Sequence, residues 1–142
     1  MARNIAVVGA GYWGKNLIRN FFELGALKAI CDTQQNLVKS YQSQYPAVSF
    51  TNSFSKILSD SSIKGIVIAT PAEIHFNLAK QALLADKDVL VEKPLVLRLE
   101  DGENLAELAE KRGKILMVGH VLRYHPAVNK LKELINQDEL GK

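Results

Sequence analysis

The stretch "NIAVVGAGYWGKNLIRN", residues 4–20, decides the fold. A short apolar run at residues 5–8 enters three glycines, Gly9, Gly11 and Gly14, and leaves as an amphipathic segment. In a G-x-G-x-x-G turn the first glycine permits the tight bend out of a strand. The second lets a diphosphate approach the backbone, and the third lets the following helix pack close to the strand. The helix start then offers free N–H groups and roughly half a positive charge to the phosphates. The motif alone is weak, but a strand before it and a helix after it supply the context that makes it a dinucleotide signal. Gly9, Gly11 and Gly14 are therefore expected to bind a cofactor, with Tyr12 and Trp13 bordering the same site.

Working outward, six short apolar runs recur, at residues 5–8, 27–31, 48–50, 65–69, 88–91 and 115–118. Most are continuous rather than alternating, as in parallel strands covered on both faces. Segments of helical period lie between them. Trp13, Leu17, Phe21 and Leu24 form one stripe, stopped by Gly25. Leu37, Val38, Tyr41 and Tyr45 form another, ended by Pro46. Ser53 is placed to cap a short helix carrying Phe54, Ile57 and Leu58. Ile74, Leu78 and Ala82 share a face, and Leu105, Leu108 and Ala109 do so before Gly113. Strands alternating with helices predict an α/β fold, a doubly wound parallel six-stranded sheet of Rossmann type with order 3-2-1-4-5-6. Ligands of such sheets bind at the carboxyl ends of the strands, so the residues just after each strand carry the chemistry.

Asp32 follows the second strand, 18 residues after Gly14. That is close to the spacing of about 20 expected for the acidic residue on the adenosine ribose. A 2′-phosphate beside this carboxylate would cost from ~1 to ~4 kcal/mol for a charge pair about 4 Å apart. No arginine stands in residues 33–38 to receive it. NAD is therefore favoured over NADP. The alternative for Asp32 is a solvated carboxylate capping the next helix.

The fourth strand ends in Thr70-Pro71, a rigid floor for a flat ring. His75, a few residues on, is read either as a helix-terminal, partly buried histidine or as a cofactor contact. The fifth strand ends in Glu92-Lys93-Pro94. A charged pair at the mouth of a buried strand exceeds what a turn requires. Lys93 suits a substrate hydroxyl or the nicotinamide ribose, and when desolvated it can relay a proton; the alternative is a surface lysine. Glu92 is free to pair with a nearby cation. The Lys93–Pro94 bond is expected to be cis. After the sixth strand, His120 and His125 are five apart without a third ligand, which is not metal spacing, so no metal site is expected. Arg123, Tyr124 and His125 suit either an anionic substrate or, the preferred reading, a hinge.

The bulk numbers narrow the classes. The 142 residues suffice for one buried core, at 47% hydrophobic and 23% charged. The net charge of +3 comes from 18 basic and 15 acidic residues in no run, so no nucleic-acid footprint is expected. The single cysteine suits a reducing compartment. No apolar run is long enough for a membrane span, and no signal peptide is read at the start, so a soluble cytoplasmic protein is expected. No G-x-S-x-G turn or P-loop lysine pattern supports hydrolase or kinase chemistry.

"VVGAGYWGKN", "IVIATPAEIH", "VEKPLVL" and "GHVLRYHPAV" together resemble the N-terminal domain of the glucose–fructose oxidoreductase, inositol dehydrogenase and MocA-like (Gfo/Idh/MocA) family. The resemblance spans essentially the whole chain, and Glu-Lys-Pro is its most specific element. It implies that Lys93 lies beside the nicotinamide and acts as the catalytic residue on a substrate hydroxyl. It implies that Thr70 and Pro71 line the dinucleotide site and that the proline after the lysine is often cis. The wording of "GYWGKN" is similar to members acting on nucleotide-linked amino sugars, such as UDP-N-acetylglucosamine-type 3-dehydrogenases.

The resemblance also implies a second domain that supplies the sugar pocket, an acid–base partner and a homo-oligomer interface. The division expected is residues 1–120 as dinucleotide-binding domain and 121–142 as hinge and helix leading to a substrate domain absent from this chain. The cofactor-binding set is Gly9, Gly11, Tyr12, Trp13, Gly14, Asp32, Thr70, Pro71, His75, Glu92 and Lys93. The function expected is the NAD-binding part of a sugar or nucleotide-sugar oxidoreductase, inactive by itself. The alternatives are a stand-alone NAD-binding or redox-sensing module, and a methyltransferase-like fold binding S-adenosylmethionine.

Overall fold

The structure, a computed structural model, describes residues 3–139 and residue 141, without the side chains of residues 35, 38 and 39. The chain runs β1 (Ile5–Val8), α1 (Gly14–Glu23), β2 (Leu27–Cys31), α2 (Gln35–Gln44), β3 (Ser49–Thr51) and α3 (Phe54–Ser59). It continues with β4 (Gly65–Ile68), a 3₁₀ turn (Ala72–Ile74), α4 (His75–Leu84), β5 (Asp88–Val91), α5 (Leu99–Arg112) and β6 (Leu116–Val118). A second 3₁₀ turn (Val121–Tyr124) leads to α6 (Pro126–Asn136). All six strands are parallel, in the order β3-β2-β1-β4-β5-β6. This is the expected doubly wound sheet.

The continuous apolar strands have the physical consequence expected of them. Ala6 and Val8 of β1 face one core with Ile66, Ile68, Leu83 and Leu105. Val7 faces the other, with Ile18, Leu27, Ile30 and Val67. Alternate side chains leave opposite faces of a strand, so a strand covered on both faces must be apolar throughout. Helices α1 and α2 cover one face, and α3, α4 and α5 the other.

Several helix boundaries follow the sequence signals. Gly25 and Gly113 take left-handed conformations, φ +68° and +61°, just after α1 and α5. The buried stripe of α1 differs from the one expected. Ile18 is fully buried, with Leu17 and Phe21 beside it, whereas Trp13 and Leu24 stand exposed outside the helix. Val38, expected on the α2 stripe, lies outside the described side chains. Ser53 stands at the N-cap of α3, but its hydroxyl meets Ser55 Oγ at 2.8 Å and caps no backbone N–H. On α4 the buried face is His75, Ala79, Ala82 and Leu83, and Ile74 is exposed in the turn before it.

Candidate cofactor-binding site

The glycine turn is shaped by space. Gly9 has φ +93°, and a Cβ there would stand 2.5 Å from the Ala69 carbonyl oxygen at the end of β4. A Cβ on Gly14 would overlap the Gly9 carbonyl oxygen. A Cβ on Gly11 would meet nothing within 4 Å. Two glycines are therefore required by the protein's own packing, and the middle one faces open space where a ligand can approach. No side chain caps α1 and no acidic residue lies in its first turn, which leaves its positive end to an anion.

The turn is held from the β2 side. The Ala10 N–H donates to Asp32 Oδ2 at 2.7 Å, and the Gln34 N–H donates to Asp32 Oδ1 at 2.8 Å. The Tyr41 hydroxyl donates to the Ala10 carbonyl at 2.9 Å. Ala10 is thus fixed through both of its backbone groups. Each carboxylate oxygen of Asp32 accepts one bond and keeps capacity for another donor. Burial, then Tyr45 and Asp32, push the Tyr41 hydroxyl above the usual phenol value. Burial, then the Asp32 charge, push the Cys31 thiol up to about 11.

A cavity of about 600 Å³ opens at the carboxyl ends of β1 to β4. Six of the expected residues line it: Gly9, Gly11, Tyr12, Asp32, Thr70 and Pro71. Asn52, Phe54, Ile74 and Leu78 line it as well and were not anticipated. Asn52 belongs to no motif, and Phe54, Ile74 and Leu78 read only as positions on helix stripes. Asn52 was nonetheless reachable, because it follows β3 at the same sheet edge. Thr70 Oγ1 is buried and has no hydrogen-bond partner among the described residues. An unpaired buried hydroxyl costs about 1–3 kcal/mol, a cost that a polar ligand group removes. Open backbone at Gly11, a free helix end, a carboxylate and an unpaired hydroxyl fit a dinucleotide.

The remaining candidates lie toward β5 and β6, across β1 from Asp32. Lys93 is exposed, and its bond to Pro94 is cis, as expected. Glu92 is 7% exposed and pairs with no cation among the described residues. It instead accepts the Trp13 indole N–H at 2.5 Å and the Lys93 N–H at 3.3 Å. Gly119, after β6, leaves the room that its carboxylate fills, since a Cβ there would stand 3.0 Å from Glu92 Oε1. His75 is 1% exposed, and its ring is turned to two backbone carbonyls, those of Pro94 and Thr70. Neither ring nitrogen is left for a cofactor contact, so its place is between loops.

Tyr12 is 84% exposed, with Lys15 Nζ 4.7 Å from its ring centroid. His125 caps α6, its Nδ1 accepting the Ala127 N–H at 3.2 Å. Among the described residues no cluster of His, Cys, Asp or Glu is arranged to hold a metal, and no helix is long and apolar enough to cross a membrane.

Comparison with known proteins agrees with this geometry. Residues 3–120 match the model of an oxidoreductase family described by its NAD-binding Rossmann fold. The scyllo-inositol 2-dehydrogenase (NAD(+)) of Bacillus subtilis is 29% identical over 96% of this chain and 41% of that protein. The UDP-N-acetylglucosamine 3-dehydrogenase of Acidithiobacillus ferrooxidans is 27% identical over 89% of this chain and 40% of that protein. The crystal structure of a probable dehydrogenase from Thermotoga maritima superposes with a TM-score of 0.88 at 25% identity, over 98% of this chain and 42% of that one. The chain thus spans about 40% of the length of these curated relatives.

Proposed function

Because the chain belongs to the Gfo/Idh/MocA oxidoreductase family, within its NAD-binding Rossmann fold, we propose that it orients NAD for hydride transfer at a sugar or nucleotide-sugar hydroxyl carbon. The observation that carries this reading is the Ala10–Asp32 bond beside the open face of Gly11. It sets a carboxylate suited to ribose hydroxyls beside open backbone suited to a diphosphate. The amides at the start of α1 hold the diphosphate, Asp32 receives the ribose hydroxyls, and Thr70 Oγ1 gains the partner it lacks. NAD, when bound, supplies the hydride acceptor.

Lys93 stands on the other side of the turn, at the end of β5. There its amine holds a substrate hydroxyl and, once bound cofactor and substrate desolvate it, relays the hydroxyl proton. The polyol and nucleotide-sugar relatives support this substrate class. Residues 1–120 form the dinucleotide unit, and 121–142 lead toward a substrate domain. No residue of α6 is buried, and its apolar Val128, Leu131 and Ile135 are exposed, which supports that division. The lone free cysteine supports a reducing, cytoplasmic setting.

Trp13 is the only tryptophan and sits in the glycine turn, so its fluorescence reports on ligands there. Titration with NADH should quench it saturably, and calorimetry should rank NAD above NADP and S-adenosylmethionine. The chain alone should show no dehydrogenase turnover. Tighter binding of S-adenosylmethionine than of NAD would overturn the reading, and Lys93→Ala should leave ADP affinity unchanged.

A further inference from the structure

His75 opens α4 and is fully enclosed, yet both of its ring nitrogens have polar partners. Nδ1 lies 2.8 Å from the Pro94 carbonyl oxygen, and Nε2 lies 2.8 Å from the Thr70 carbonyl oxygen. Thr70 follows β4 and Pro94 follows β5, and these strands are parallel neighbours. Their ladder ends at the Ile68–Val91 pair and a last bond from the Glu92 N–H to the Ile68 carbonyl, 2.9 Å. Past that point one side chain joins the two strand ends.

A carbonyl oxygen only accepts, and a neutral imidazole donates from only one nitrogen. At 2.8 Å both contacts have hydrogen-bond length. A bare ring nitrogen would therefore set its lone pair against an oxygen lone pair. Both contacts are satisfied only when each nitrogen carries hydrogen. A buried cation is costly, and here two charge-assisted bonds offset the cost.

We propose that His75 is a positioning residue which, with hydrogen on both ring nitrogens, clamps the Thr70 carbonyl to the Pro94 carbonyl and so fixes Lys93 against the cofactor crevice. The positioning role rests on the reading of Lys93 as the nicotinamide-side residue. The bridging itself does not, because it needs no ligand.

Two measurements test it. Long-range ¹H–¹⁵N spectra of the labelled chain, without ligand at neutral pH, should show both His75 ring nitrogens protonated. The chain has three histidines, and the signals are assigned by subtraction with His120→Gln and His125→Gln, both at exposed positions. A ring with one unprotonated nitrogen overturns the clamp and leaves the cofactor reading intact. In the second measurement, His75→Gln should bind NADH about tenfold more weakly, a loss of about 1.4 kcal/mol. Its ADP affinity should stay within about twofold of wild type. Equal losses for both ligands would make His75 a packing residue, and unchanged NADH affinity would remove its role. A wild-type chain that binds neither ligand takes the positioning role down with the cofactor reading, while the spectra still decide the bridge.

Discussion

The Trp13 indole N–H donates to Glu92 Oε1 at 2.5 Å across 79 positions of sequence. It ties the glycine turn to the end of β5. Trp13 is half exposed and Glu92 is buried, so the bond matters more to the carboxylate than to the indole. Trp13→Phe should remove this donor and leave Glu92, among the described residues, with the Lys93 N–H alone. The expected destabilisation is about 1–3 kcal/mol, read from urea unfolding. A Trp13→Phe chain as stable as wild type would show that the pairing contributes nothing.

The three glycines should separate cleanly by substitution. Gly14→Ala and Gly9→Ala force a Cβ onto backbone oxygen and should lose stability together with NADH binding. Gly11→Ala meets open space, so its unfolding midpoint should stay at the wild-type value while NADH affinity falls. Unimpaired NADH binding by Gly11→Ala would mean that no diphosphate approaches this face.

Asp32→Ala removes the acceptor of two backbone N–H groups, those of Ala10 and Gln34, as well as the ribose partner. NADH affinity should drop about tenfold or more, and the margin over NADPH should narrow because the repelling charge is gone. Asp32→Asn keeps one side-chain oxygen and should lie between. Paired titrations with NADH and NADPH decide the matter; an unaltered ratio in Asp32→Ala removes the carboxylate from cofactor choice.

Cys31 sets a pH dependence whose sign follows from its environment. Burial first, and the Asp32 charge second, raise its thiol from 9.0 to about 11 in the folded chain. Between those values the unfolded chain has released a proton that the folded chain keeps, so stability falls as pH rises through the window. Below it the contribution is fully present. Cys31→Ala should lack that part of the alkaline slope in urea unfolding. Native Cys31 should also react with iodoacetamide roughly a hundredfold more slowly than the unfolded thiol, following its smaller thiolate fraction.

Much of this was legible because it is local. Gly25 and Gly113 stop their helices through their own φ, and the apolar strands announce a sheet covered on both faces. The strand ends with Gly9, Asp32, Thr70 and Lys93 follow from the order of a doubly wound sheet. The less legible features join segments distant in sequence. Tyr41 reads as one member of an apolar stripe, yet its hydroxyl holds the Ala10 carbonyl. Asn52 stands in no motif and Phe54 reads only as a position on a helix stripe, and they reach the cavity only because β3 lies beside β2.

The sequence by itself determined the layered α/β fold, the strand order and the cofactor class, because periodicity and glycine placement act within a few residues of each other. Only the tertiary structure decided the partners of the polar side chains. Glu92 turned to Trp13 instead of a cation, and His75 turned to Thr70 and Pro94 instead of the cavity. Those outcomes depend on which donors and acceptors are left unpaired once the strand ends converge, a condition that exists only after the chain has folded.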